Sequence, residues 1–257
     1  MKITFKMVAK RFMLAAVLMS ISCLLITGFA YLSGEKKFSS GKKSAEKETE
    51  EEQKNGYDPK TSKYDDMSSY SICLDAACGG SDNGAENESR YEKDDNLTLA
   101  KKVQSILENE MNFKVFMTRT DDSDVSDSER VATANDNNCN AIISLARGEY
   151  INANYSQGIE SYVYTGEPAD ALALSSYIVS KLNDTNIMLA GSTANGIPGN
   201  SNEDYYINKN SNMASVVILT GYITYDDDNE AFDNNTDTIA KAIAEGIYEY
   251  MKSGIAK

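Results

Sequence analysis

Three short stretches hold most of the side chains in this sequence that could do chemistry. They are Asp75 to Gly80, which contains Cys78; Ser144 to Gly148, which contains Arg147; and Leu219 to Tyr222. Glu92 stands between the first and second, where a helical pattern begins. Carboxylates and a thiol are the raw material for metal ligation or proton transfer, but the chain contains no histidine. That absence excludes a Ser-His-Asp triad, a Cys-His pair, a haem histidine and a histidine-based zinc site. The four cysteines, Cys23, Cys73, Cys78 and Cys139, form no C-x-x-C pair, so a zinc finger or a thioredoxin-like site is not available either. As a nucleophile Cys78 would need a neighbouring base or cation to become a thiolate, and no imidazole exists to serve. Spacing leaves a Cys73–Cys78 or a Cys78–Cys139 disulfide open and decides neither.

The elements that must position these residues follow from hydropathy. Tyr70–Leu74 reads as a buried strand ending at Asp75, and 113–117 as a second. Ala141–Leu145 is apolar on both faces and so belongs at the sheet centre, and Val216–Thr220 is another buried run. Gly158–Tyr164 alternates, as a half-exposed or edge strand does. Helical spacing marks 94–110, 125–137 with Ser126 or Asp127 as cap, 169–182, and a final helix through Ile239, Ile243, Ile247 and Tyr250. Residues 183–212, rich in Asn, Gly and Ser, read as a long loop with a short strand at 205–207. Alternating strands and helices predict an α/β fold, a mainly parallel central sheet with helices on both faces. The ligand site of such a sheet lies at the C-terminal strand ends, where the three chemical stretches fall.

Ahead of this domain the composition changes twice. Residues 1–11 carry Lys2, Lys6, Lys10 and Arg11 and no acid. Phe12 to Leu32 then runs 21 residues without a charge, enough for a helix of roughly 30 Å, the depth of a bilayer core. The charge order predicts a signal-anchor with the N-terminus inside and the remainder outside the cytoplasm. A cleaved signal peptide ending near Gly28-Phe29-Ala30 is the alternative, and it would leave a secreted protein. Cys23 lies in the apolar run and reads as membrane-buried. Residues 33–69 are almost all charged or small and read as a disordered spacer. Residues 70–257 form the folded domain. With 39 acidic against 25 basic residues the net charge is −14, which excludes a nucleic-acid partner in need of a basic face.

Several stretches, in order, resemble the zinc-dependent N-acetylmuramoyl-L-alanine amidases of the family-3 type. Leu74-Asp75-Ala76-Ala77-Cys78-Gly79-Gly80 is similar to that family's first strand and D-x-G-H-G-G loop. Glu92-Lys93-Asp94 with Leu97 and Ala100 is similar to its E-K-D helix start. Thr118-Arg119 with Asp122, Arg130 and Asn135 resembles its T-R-x-x-D…R-x-x-x-A-N segment. Gly158-Ile159-Glu160-Ser161-Tyr162 resembles its G-x-E-x-Y strand, and Gly221-Tyr222-Ile223 its G-F-I. The resemblance covers residues 70–252.

What the resemblance implies is a hydrolase fold with zinc on two histidines and a glutamate, and a second glutamate as base. The first histidine position is Cys78, the glutamate ligand position is retained as Glu92, the second histidine position is Ala146, and the base position is Leu219. The expectation is therefore a pseudoenzyme without zinc and without a catalytic residue. Its vestigial ligand positions are Cys78, Glu92 and Ala146, and its ligand cleft is formed by Asp75, Cys78, Glu92, Ala146, Arg147 and Leu219. The implied partners are peptidoglycan or another cell-wall protein, with the membrane reached through the N-terminal helix. Two rivals stand beside this reading. One is a divergent active amidase that recruits Asp94, Asp95 or Glu149 to a non-standard metal site; the other is a structural scaffold. Arg119 and Arg130 are expected in structural ion pairs, Asp75 as a brace of the first loop, and Glu92 as a helix-start carboxylate. Loss of zinc would leave Glu92 in need of a cation, for which Arg147 is the neighbour in sequence, although strand alternation points residue 147 away from residue 146.

Overall fold

The computed structural model describes residues 56–149, 158–188, 191 and 193–256. The expected membrane anchor at 12–32, with Cys23, lies outside the described residues. Among the described residues, eight strands and five helices follow in chain order: β1 (Ser71–Ala76), β2 (Glu86–Asn87), β3 (Arg90–Tyr91), α1 (Glu92–Met111), β4 (Lys114–Met117), α2 (Asp127–Asp136), β5 (Ala141–Gly148), β6 (Ile159–Val163), α3 (Ala169–Asp184), β7 (Ala194–Asn195), α4 (Tyr206–Asn210), β8 (Ala214–Tyr222) and α5 (Asp226–Lys252). Six strands form one sheet in the order β4-β1-β5-β8-β6-β7. The β4, β1, β5 and β8 strands run parallel, and β6 joins β8 antiparallel.

Period-2 alternation divides the side chains between two unequal faces. Ile72, Leu74, Ile143, Leu145, Val216 and Ile218 point to one face, into a large core with Leu99, Val103, Ile178, Ile243 and Ile247 from α1, α3 and α5. There α5 lies so close to α3 that a Cβ at Gly246 would stand 2.5 Å from the Ile178 Cα; only glycine permits the contact. Cys73, Ile142, Ala146, Val217 and Leu219 point to the other face, into a smaller core closed by Val131 and Ala134 of α2 and Ile207 of α4. Helices thus cover both faces of a mainly parallel sheet, as the sequence predicts.

The local signals act as expected at several ends. Ser126 caps α2 with a full capping box: its hydroxyl accepts from the Glu129 N–H, and the Glu129 carboxylate accepts from the Ser126 N–H at 2.9 Å. Asn112 closes α1 in the left-handed conformation, φ 60°.

Three expectations need correcting. Residues 56–69, which composition assigns to the spacer, belong to the folded body. Met67 is buried, Tyr64 donates to Glu245 at 2.5 Å, and the Asp65 N–H donates to the Tyr248 hydroxyl at 3.1 Å. A few aromatic and apolar anchors hold a stretch whose average hydropathy is low. The β6 strand is not an edge: β7 pairs outside it, and Tyr162, on its nominally open side, is buried. The short strand expected at 205–207 is instead the start of α4, because Asn208 is drawn inward, donating to Tyr162 O at 3.0 Å and accepting from Ser215 Oγ at 2.7 Å. The last helix starts at Asp226, ahead of its apolar stripe, and is kinked at Asn235.

Candidate functional site

The loop after β1 carries Cys78 in a left-handed backbone conformation, φ 62°, which a non-glycine residue adopts only when its surroundings impose it. Two arginines supply that constraint. Arg130 donates to Ala76 O and Cys78 O, each at 2.8 Å, and to Asp75 Oδ1 at 2.6 Å. Arg119 donates to Ala76 O at 2.8 Å, to Ala77 O at 3.1 Å, and to Lys93 O at 2.7 Å. Asp75, buried, also accepts from Thr118 Oγ1 at 2.7 Å and Ser144 Oγ at 2.6 Å. Asp75 is therefore the brace that the sequence suggests, and Arg130 its ion pair. Arg119 departs from expectation: it donates to the carbonyls of Ala76, Ala77, Lys93 and Asp121, in place of the expected ion pair.

Glu92 opens α1 and is 7% exposed. Its Oε2 accepts from the Ala85 N–H at 2.9 Å; its Oε1 accepts from the Arg147 N–H at 2.8 Å and from Asn96 Nδ2 at 3.2 Å. The Arg147 guanidinium turns to the opposite face, as alternation requires. It donates to Asp95 at 2.6 Å and to Asn229 at 2.8 Å, and lies 4.6 Å from the Phe232 ring centroid. The side-chain pairing of Arg147 with Glu92 is thus not made: Glu92 takes backbone and amide N–H groups in place of a cation. Arg147 leaves the cleft, and Asp95 is committed to Arg147 and Arg90.

Cys78 and Glu92 do meet. A Cβ at Gly84 would stand 2.7 Å from Cys78 Sγ and 2.5 Å from Glu92 Oε2, so both crowd one point; Gly84, at φ +68°, is the residue that leaves them room. Burial, then the charges of Glu92 and Asp82, push the Cys78 thiol well above the ordinary range, with Arg130 and Arg119 opposing.

Next to them runs a row across three strands. Ala146 on β5 is in register with Leu219 on β8, and Leu219 with Glu160 on β6. Ala146 and Leu219 are buried in one apolar cluster with Tyr162 and Ile207. Glu160 is a residue that the sequence reading placed on a strand and gave no role. Its register opposite Leu219 was the missing signal. The Tyr162 hydroxyl bonds to its carboxylate. Burial first and Glu160 second push up the Tyr162 and Tyr222 hydroxyls, while Tyr205 is pushed up by burial and then by both Glu92 and Glu160. Tyr205 packs edge-on to Tyr162, ring centroids 6.0 Å apart. Asp75, Cys78, Arg130, Ser144, Ala146 and Tyr205 help line a cleft of about 200 Å³. A larger hollow of about 900 Å³ lies at the opposite face among α1, α3 and α5, where Lys102–Asp237 and Lys241–Glu110 neutralise one another.

A zinc ion does not fit this donor set. A hydrolytic site needs three protein ligands and an open position. Here one ligand position is a methyl group, and both Glu92 oxygens already accept N–H bonds, which leaves the Cys78 thiol as the one unengaged donor of the three. Among the described residues no group of three or more Cys, Asp and Glu side chains converges to hold a metal. Asp94 and Glu149, which a divergent metal site would recruit, are exposed.

Known proteins resemble this chain in sequence and fold. A family model described as N-acetylmuramoyl-L-alanine amidase matches residues 72–249. The uncharacterized protein YqiI of Bacillus subtilis is 30% identical over 186 residues, 70% of this chain and 84% of its own length. The N-acetylmuramoyl-L-alanine amidase of Clostridium difficile 630 superposes with a TM-score of 0.65 at 25% identity, covering 72% of this chain and 97% of that one. The CwlD amidase of Clostridioides difficile, solved in complex with the GerS lipoprotein, superposes with a TM-score of 0.60 at 25% identity, over 72% and 99% of the two chains.

Proposed function

The chain belongs to the N-acetylmuramoyl-L-alanine amidase family, and from that premise we propose that it is an amidase-like protein of the cell wall that no longer cuts the amide bond. In this reading it is held outside the cytoplasm by its N-terminal helix, binds peptidoglycan, or regulates a wall hydrolase by docking to it. The observation that carries the proposal is the row Ala146–Leu219, buried hydrocarbon at the positions where the family resemblance places a metal ligand and the general base. A hydrolytic step needs a polarised water and a group to take its proton. Leu219 can do neither. Two glutamates beside that row, Glu92 and Glu160, accept from N–H and tyrosine O–H donors. A protein partner is supported by the CwlD relative, whose solved structure includes a lipoprotein.

A second reading, a divergent active amidase, draws on one observation: Cys78 and Glu92 still converge on the same point beside Gly84. Two measurements on the full chain purified in detergent separate the readings. The expected result is zinc far below one per chain and no release of stem peptide from purified peptidoglycan. Near-stoichiometric zinc together with amide cleavage would overturn the proposal. Retention on insoluble peptidoglycan above a control protein is expected of a binding role, and its absence would leave the docking role alone.

A further inference from the structure

Away from the cleft, the structure brings together two thiols that no role above uses. Cys73 lies within β1, fully buried, its side chain on the α2 side of the sheet; Cys139 lies in the turn between α2 and β5. Three backbone constraints bring them together. The Asn140 N–H donates to Ser71 O at 2.7 Å, and the Ser71 N–H donates to Asn140 Oδ1 at 2.9 Å, which clamps the turn to the start of β1. The Cys139 N–H donates to Ala134 O at 3.0 Å, which folds Cys139 back beneath α2. The two thiols share one apolar cluster with Val131, Ala134 and Ile142 and act directly on each other's proton affinity, and both are free. Neither pairing left open by the spacing involves these two residues with each other.

We propose that Cys73 and Cys139 are a redox couple, which a small disulfide-bearing oxidant converts to an internal disulfide tying β1 to the turn ahead of β5. The order of events follows from access. A cleft of about 350 Å³, lined by Asn135, Asn138, Asn140 and Met213, reaches Cys139 and does not include Cys73. The Cys139 thiolate attacks the oxidant's disulfide, forming one mixed S–S bond and expelling one thiolate. Cys73 then gives up its proton and attacks the Cys139 sulfur, forming the internal bond and expelling the second. Two protein thiols and one disulfide become one protein disulfide and two small thiols, so atoms and electrons balance. The neighbouring Cys73 lowers the affinity of Cys139 for a proton, burial opposes this, and Ser71 adds to it; the neighbouring Cys139, with burial, holds Cys73 far above the ordinary thiol range. Access thus makes Cys139 the attacking group and Cys73 the resolving one. The inference does not depend on the role assigned to the cleft.

The test uses the full chain in detergent, treated with glutathione disulfide under native conditions, with free thiols then counted after unfolding. The expected result is a fall from four thiols to two. Digestion with a protease that cuts before aspartate separates Cys73 from Cys78 at Asp75, and the linked peptide is expected to join Cys73 to Cys139. Cys78→Ser is expected to lose the same two thiols, and Cys139→Ser none. A link through Cys78 or Cys23, a stable mixed disulfide without closure, or four thiols surviving would each overturn the proposal. Where Cys139→Ser fails to fold, the peptide map of the unaltered chain decides alone.

Discussion

Two neighbouring patches on the same sheet face have opposite chemistry. Across β1 and β5, Asp75, Ser144, Thr118 and Arg130 form a buried polar brace in which each charge has a partner. One step along β5, Ala146 and Leu219 form a patch of hydrocarbon. The brace answers a structural need: the carbonyls of Ala76, Ala77 and Cys78 turn inward, and a buried acceptor without a donor costs about 1–3 kcal/mol. The apolar row answers only the need to fill volume. Charge stands where the backbone depends on it, and hydrocarbon fills the row beside it.

The comparison is open to direct attack. Asp75→Ala leaves the Arg130 guanidinium buried without its carboxylate, and the expected loss is about 3–5 kcal/mol by urea denaturation. A loss below about 1 kcal/mol would make the brace no more demanding than a surface pair. Leu219→Ala opens a cavity beside a cleft that can relax into it, and about 2–3 kcal/mol is expected. Leu219→Met should cost less than about 1.5 kcal/mol by the same measurement, since the row specifies volume rather than chemistry. If the methionine variant fell as far as the aspartate variant, Leu219 would have a role that hydrocarbon does not explain.

The smallest effect belongs to the strap at 56–69, as a partly buried control. Hydrogen bonds from Tyr64 and Lys63 outweigh burial and hold the Glu245 carboxylate below its ordinary value of 4.5. A lowered carboxylate stabilises the fold above its unfolded value and loses that contribution as the pH falls through the folded one. Glu245→Gln is therefore expected to cost about 0.2–1 kcal/mol at neutral pH and to match the unaltered chain near pH 2, in paired denaturation curves. A cost that persisted unchanged in acid would place the loss in packing rather than in charge.

Much of the fold was legible because its signals are local. The unbroken apolar run of β5 marked a central strand, and Ser126 with Glu129 marked the start of α2. The misses share a cause. Residues 56–69 fold because Tyr64 and Met67 find distant partners on α5 and α1. Residues 205–207 leave strand geometry because Asn208 is claimed by β6 and β8. Glu160 gained significance only from its register with Leu219.

At the site the same division holds. The sequence by itself determined which donors exist: with no histidine in the chain, and with alanine at 146 and leucine at 219, no folding can place an imidazole or a carboxylate at those two positions. Only the tertiary structure decided how the remaining groups are used. Glu92 is satisfied by N–H groups from two separate segments, Arg147 is turned to Asp95, and Cys73 is set against Cys139 rather than Cys78. The physical reason is that residue identity is fixed along the chain, whereas a hydrogen bond or thiol pair depends on strand register and helix packing between residues far apart in it.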